Sequence, residues 1–202
     1  MSDAPVHPHG PPEDLYGTTP PWDVGRPQPA FAALAEAGEF RGRVLDVGCG
    51  TGELALLCAG MGLDVTGVDL APKGLQAAAE KARERGLAVR WLRHDVLRLG
   101  ELGETFDTVL DSLIFHIFGD ADRATYVESL RAALRPGGRY FMLCFSERQP
   151  GAGEYGPRRV TREEIAAAFS DGWKIDSIDA ATIDSNLGPE GLAAWLVALI
   201  RI

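Results

Sequence analysis

A chain of 202 residues is long enough to bury one sizeable core, so a single domain is the simplest expectation. Its formal charge of −9 argues against tracking a phosphate backbone, which needs clustered Lys and Arg, and nucleic acid is therefore not an expected partner. Three cysteines, Cys49, Cys58 and Cys144, are odd in number and far apart, which excludes a disulfide framework and a metal-ligand spacing and favours a reducing cytoplasm.

Residues 1–21 are rich in Pro, Gly and His and have no period, so they read as a mobile tail ahead of one domain at 22–202. His7 and His9 lack a nearby acidic or Cys partner and read as solvated, with no metal expected. From Phe31 the pattern becomes regular. A helix through Phe31, Leu34 and Ala35 leads to a strand at Arg43–Val47, and a second helix runs from Gly52 to Gly60-Met61-Gly62. A strand at 64–68 precedes a helix that opens at Pro72 and closes at Gly86. Strands follow at 88–93 and 106–110, then a helix over 120–134 that Arg135-Pro136-Gly137-Gly138 ends.

A strand at 139–145 gives way to a Gly-, Pro- and Arg-rich loop at 146–157. Thr161 with Glu164 three residues on is a capping-box pattern for the next helix. A strand at 173–178 and an apolar terminal strand at 192–200 complete the chain. The terminal run is too short to cross a bilayer, and the N-terminus lacks the basic-then-apolar pattern of a secretion signal, so no membrane partner is expected. Alternating strands and helices predict an α/β, Rossmann-like, doubly wound sheet of seven strands with helices on both faces. Gly188-Pro189-Glu190-Gly191 leaves no room for a crossover helix, so the sheet is expected to be mostly parallel with one antiparallel strand near its edge.

The segment Val44-Leu45-Asp46-Val47-Gly48-Cys49-Gly50-Thr51-Gly52 runs a short apolar strand into three alternate glycines. Such spacing lets a backbone approach a ligand closely while the following helix offers its unpaired N–H groups. Acidic residues fall at the ends of the predicted strands: Asp46, Asp69, Asp95 and Asp111. In an open α/β sheet ligands bind beyond these carboxyl ends. Four carboxylates there form an acidic rim suited to ribose hydroxyls, an amino group and a positive centre.

These motifs resemble the class I S-adenosylmethionine-dependent methyltransferases over residues 42–145. The likeness rests on Asp46 to Gly52, Gly67-Val68-Asp69-Leu70-Ala71-Pro72, His94-Asp95-Val96, Phe106-Asp107-Thr108-Val109-Leu110-Asp111 and Leu134-Arg135-Pro136-Gly137-Gly138. The resemblance implies that Gly48, Gly50 and Gly52 pass beneath the methionine part of S-adenosylmethionine. It likewise implies that Asp69 holds both ribose hydroxyls, that Asp95 takes the adenine amino group, and that Leu70 and Val96 sandwich the ring. Pro20 to Pro29 resembles the N-terminal segment of thiopurine and related small-thiol methyltransferases, where a Trp packs over the cofactor. Trp22 is placed there, with a cation–π contribution of roughly 0.5–2 kcal/mol, and Arg26 is a partner for the cofactor carboxylate or an anionic substrate.

His116 follows the fourth strand, where the transferred methyl should point, and is the candidate base for a thiol or phenol. Phe115, Phe118 and Ser146 are the accompanying acceptor-facing candidates by position. Asp111-Ser112-Leu113-Ile114 stands where enzymes acting on DNA adenine or protein amide nitrogen carry an Asn-Pro-Pro-Tyr-like motif, which disfavours those substrates. The expectation is a cytoplasmic methyltransferase, monomeric or homodimeric, acting on sulfur or else oxygen of a small molecule, with the N-terminal tail and the 146–157 loop closing over the ligands. A nicotinamide-dependent oxidoreductase is the enzymatic alternative, although it predicts Gly-x-Gly-x-x-Gly rather than Gly-x-Gly-x-Gly. A cofactor-binding regulator without catalysis is the other.

Overall fold

The computed structural model describes residues 14–150 and 158–202. The reading of His7 and His9, most of the expected tail, and residues 151–157 of the expected lid loop lie outside the described residues.

Among the described residues, five helices and seven strands follow one another as α1 (Pro29–Glu36), β1 (Arg43–Val47), α2 (Glu53–Gly60), β2 (Asp64–Asp69), α3 (Pro72–Glu84), β3 (Arg90–Arg93), β4 (Phe106–Ser112), α4 (Asp120–Ala133), β5 (Leu134–Phe145), α5 (Arg162–Ala168), β6 (Trp173–Ser185) and β7 (Gly188–Arg201). The sheet order is β3-β2-β1-β4-β5-β7-β6, and β7 is the one strand that runs against its neighbours. The expected mixed sheet with a reversed strand next to the edge is what forms.

Alternate residues of the central strands feed two separate cores, as a sheet covered on both faces requires. Leu45, Val47, Val109, Tyr140 and Met142 pack with Tyr126 and Leu130 of α4 and Ile165 of α5. Val44, Leu110, Phe141 and Leu143 pack the other way, against Phe31 of α1 and Leu54 and Cys58 of α2. Pro29 starts α1, where its missing N–H costs nothing, and the turn it sets carries Phe31 to full burial. Burying such a ring contributes about 1.5–3 kcal/mol. Thr161 and Glu164 close the reciprocal cap that their spacing predicts for α5.

Strand order reverses between β1, which is followed by β2, and β4 beside it. The crevice opens at that point, beyond the carboxyl ends of the strands. Two 3-10 turns, Val96–Leu102 after β3 and Phe115–Ile117 after β4, border it.

The last hairpin corrects the expected turn. Its reversal is at Asn186-Leu187, with Ser185 opposite Gly188, and Gly188 to Gly191 belong to β7. Pro189 is tolerated because the ladder is irregular between Ile183 and Ser185, where a missing N–H breaks no pairing. The overhang is held by the N-terminal segment: Asn186 donates its backbone N–H to the Pro21 carbonyl oxygen (2.8 Å) and its side-chain amide to that of Asp23 (2.8 Å). Gln28 both donates to the Asp184 carbonyl oxygen (3.1 Å) and accepts from the Asp184 N–H (2.8 Å).

Candidate active site

A cavity of about 690 Å³ occupies the crevice. Its floor is the glycine loop. Gly48 and Gly50 have φ of +64° and +51°. A Cβ on Gly48 would lie 2.1 Å from Ile114 Cδ1, and one on Gly50 would lie 2.3 Å from the Tyr16 hydroxyl. The left-handed φ at both positions favours glycine, and any side chain there would have to push Ile114 or Tyr16 aside. Asp69, at the tip of β2, braces the loop: Oδ2 accepts from the Gly50 N–H (2.8 Å) and Oδ1 from the Ala71 N–H (2.7 Å).

Asp46 is 1% exposed and accepts the Ala55 N–H at 3.0 Å, so it tethers the first turn of α2 to β1. Burial, aided by the charges of Asp69 and Asp111, pushes its carboxyl up to about 8. Asp95 accepts the Leu97 N–H at 2.9 Å, capping the 3-10 turn that presents Val96. Asp46, Asp69, Leu70, Asp95 and Val96 all reach the cavity together with the three glycines.

Asp111 does not. It is wholly buried and accepts from the backbone N–H groups of Ile114 (2.7 Å) and Phe115 (3.2 Å) and the hydroxyls of Tyr126 (2.9 Å) and Tyr140 (2.7 Å). Three of these donors converge on Oδ2 and one on Oδ1. Burial nevertheless raises it to about 6. Its position is structural: it fixes the turn after β4, in which Leu113 takes a left-handed φ of +78°.

That turn separates two adjacent candidates. Phe115 points into the core, stacked on Phe169 with the Arg123 guanidinium 4.5 Å above its ring, and takes no part in the cavity. His116 points the other way, onto the cavity, and meets the ring of Phe145 edge-on at 4.8 Å. Phe118 also lines it, leaning on Tyr126. Ser146 is fully buried away from the cavity; its hydroxyl accepts the Arg148 N–H, and its backbone bridges to Val160 and Ala193.

Trp22 lines the cavity and donates its indole N–H to the Tyr16 hydroxyl at 3.3 Å. Arg26 lines it too, and its guanidinium pairs with Asp184 of the hairpin at 2.6 Å. Tyr16 and Arg159, also on the wall, were missed from sequence. Tyr16 sits in the aperiodic stretch given to the tail, yet its ring covers Gly50 and Gly74, and burial beside Asp69 pushes its phenol up. Arg159 lies at the end of a loop with no period at all. Asp23, another residue of the wall, accepts from the Thr51 hydroxyl at 3.1 Å and ties the N-terminal segment to the glycine loop.

A side-chain-free floor, a carboxylate braced by two backbone N–H groups and apolar flanks at Leu70 and Val96 suit a nucleoside with a charged tail. A methyltransferase-domain family model matches residues 44–138. The 2-heptyl-1-hydroxyquinolin-4(1H)-one methyltransferase of Mycobacteroides abscessus is 35% identical over 176 residues, covering 87% of this chain and 77% of that one. The chain belongs to the class I S-adenosylmethionine-dependent methyltransferases, and its cofactor is S-adenosylmethionine. A solved structure described by the conversion of a disulfide bond into a thioacetal group during echinomycin biosynthesis superposes with a TM-score of 0.84 at 35% identity, over 94% of this chain and 91% of that one. The demethylmenaquinone methyltransferase of Thermus thermophilus is 40% identical over 112 residues, and the match spans 54% of this chain and 50% of that relative. No described helix is long and apolar enough to cross a membrane.

Proposed function

We propose that this enzyme moves the methyl group to a hydroxyl oxygen of a small, flat, apolar aromatic molecule. The observation that carries the reading is the apolar lining of the cavity, to which Ile117, Phe118, Phe145, Leu187 and Leu192 contribute along with His116. Apolar walls with a few polar groups are what orient such a ligand. The relative that acts on a hydroxyquinolinone, similar over most of both chains, supports the same chemistry.

In this reading Asp69 takes the ribose hydroxyls, Asp95 the adenine amino group, and Leu70 and Val96 the faces of the ring. Gly48, Gly50 and Gly52 let the methionine part lie on the backbone. Asp46 and Trp22 face its positive charges, and Arg26, paired to Asp184, holds the wall beside its carboxylate. When bound, the cofactor supplies an electrophilic methyl on a sulfonium. The protein's work is then alignment, worth roughly 7–11 kcal/mol of the barrier. His116 accepts the proton of a neutral hydroxyl, an effect of roughly 10²–10⁴-fold. Asp111 and the Tyr126–Tyr140 pair hold the turn that aims it.

Sulfur is the second reading, because the structural relative of 35% identity is described by a reaction of a disulfide. Incubation with isotopically labelled S-adenosylmethionine and three acceptors, 2-heptyl-1-hydroxyquinolin-4(1H)-one, a catechol and an aromatic thiol, separates the two. Label on oxygen of the hydroxyaromatics is expected. Label on the thiol alone replaces oxygen by sulfur, and label on none of them removes the small-aromatic reading.

A further inference from the structure

The last residue of β5, Phe145, pairs with Ala194 of β7, and its ring meets His116 at 4.8 Å. Just past that pair, Ser146 donates its N–H to the Ala193 carbonyl oxygen at 3.0 Å. From there to the turn at Asn186-Leu187, β6 and β7 run on as two strands with no third strand beside them. A two-stranded ribbon is marginally stable by itself. This one nevertheless carries part of the cavity wall, through Ser185, Leu187 and Leu192. Leu187 does so while 75% exposed, so no core holds it in place.

The ribbon is held by residues 14–28, a segment that belongs to no helix or strand. Gln28, 5% exposed, exchanges two hydrogen bonds with the Asp184 backbone, and Asn186 makes two more, to the carbonyl oxygens of Pro21 and Asp23. The Arg26–Asp184 pair is open to solvent and adds little. The same segment also reaches the cofactor floor. Asp23 accepts from the Thr51 hydroxyl at 3.1 Å, Tyr16 covers Gly50, and Trp22, bonded to Tyr16, lines the cavity. One irregular segment thus ties the glycine loop to the ribbon.

We propose that Gln28 and Asn186 are positioning residues: they clasp the β6–β7 ribbon to the cofactor-contacting segment, so that cofactor binding steadies the ribbon's part of the cavity wall. A ligand that favours the seated segment favours the clasped ribbon with it. The coupling is reciprocal, so an acceptor resting on Leu187 and Leu192 tightens the hold on the cofactor. The inference rests on the cofactor placement proposed above and is independent of which acceptor atom receives the methyl group.

Amide hydrogen exchange, read by NMR on the whole chain with and without S-adenosylhomocysteine at about 100 times its Kd, tests the clasp. The Gly50 N–H reports the cofactor floor, and the N–H groups of Asp184 and Asn186 report the ribbon. A ligand that binds only the seated state suppresses opening by up to about 100-fold at that concentration, so protection of both ribbon amides is expected to rise at least about tenfold. With Gln28→Ala and Asn186→Ala combined, Gly50 should still be protected while the gain at the ribbon falls below about twofold. Asn186→Ala alone, at an exposed turn outside the core, should lose part of the gain. Protection of Gly50 without any gain at the ribbon in the parent overturns the clasp, as does a full gain in the double variant. No protection at Gly50 removes the cofactor placement itself, and the inference falls with it.

Discussion

Asp46→Asn is expected to stabilise this protein in alkaline solution and to weaken its hold on a cation. The carboxyl lies 1% exposed, and burial lifts it from an ordinary 3.8 to about 8. At about 1.4 kcal/mol per tenfold in proton affinity, holding it charged costs the fold about 5–6 kcal/mol. The sign follows from the raised folded value. The folded state keeps a proton that the unfolded state loses, so stability falls as pH rises above about 4, and the full penalty is present above about 8. Asparagine keeps an oxygen for the Ala55 N–H and carries no charge. Its amide brings donors that cost about 1–3 kcal/mol when buried without partners, which leaves a net gain of about 2–5 kcal/mol. For a chain of this length that is a rise in Tm of about 4–20 °C. Scanning calorimetry of the cofactor-free protein from about pH 5 to pH 9 should show the gain growing with pH. A variant no more stable than the parent at about pH 9, or a difference that does not change with pH, refutes the reasoning.

Asp111→Ala orphans two backbone N–H groups and the hydroxyls of Tyr126 and Tyr140 in the core. A loss of about 3–5 kcal/mol is expected, read as a fall in the midpoint of urea unfolding; a loss under about 1 kcal/mol would show the cluster to be dispensable. Gly50→Ala forces a Cβ against the Tyr16 hydroxyl at a left-handed φ. Its S-adenosylhomocysteine affinity should fall at least about tenfold, and unchanged binding contradicts the placement of the glycine floor. Asp69→Ala removes the brace on Gly50 and the ribose partner proposed above, and a calorimetric Kd raised by about 100-fold is expected. Full affinity in that variant moves the ribose elsewhere.

The sheet and its crevice were legible because their signals are local. An apolar strand running into alternate glycines, a Pro at a helix start and a Thr-x-x-Glu cap each fix a few residues of backbone, and those elements formed where expected. Asp111 shows where locality ends. It closes its strand as Asp69 does, yet two tyrosines, on α4 and β5, turn it from a rim group into a buried hub. Phe115 and His116 are neighbours in sequence, and only the turn that Asp111 ties decides which of them sees the cavity. The hairpin reversal at Asn186 depends on contacts with Pro21 and Asp23, more than 160 residues earlier, so Gly188-Pro189 misled as a turn. Tyr16 had no period to announce it, because its order comes from packing on Gly50 and Gly74.

The most direct measurement is a crystal structure of the protein with S-adenosylhomocysteine and 2-heptyl-1-hydroxyquinolin-4(1H)-one. The account predicts ribose hydroxyls on Asp69, adenine between Leu70 and Val96, and the acceptor oxygen facing the cofactor sulfur beside His116. A nucleoside bound away from the β1–β4 crevice, or an acceptor with its oxygen turned from His116, contradicts it.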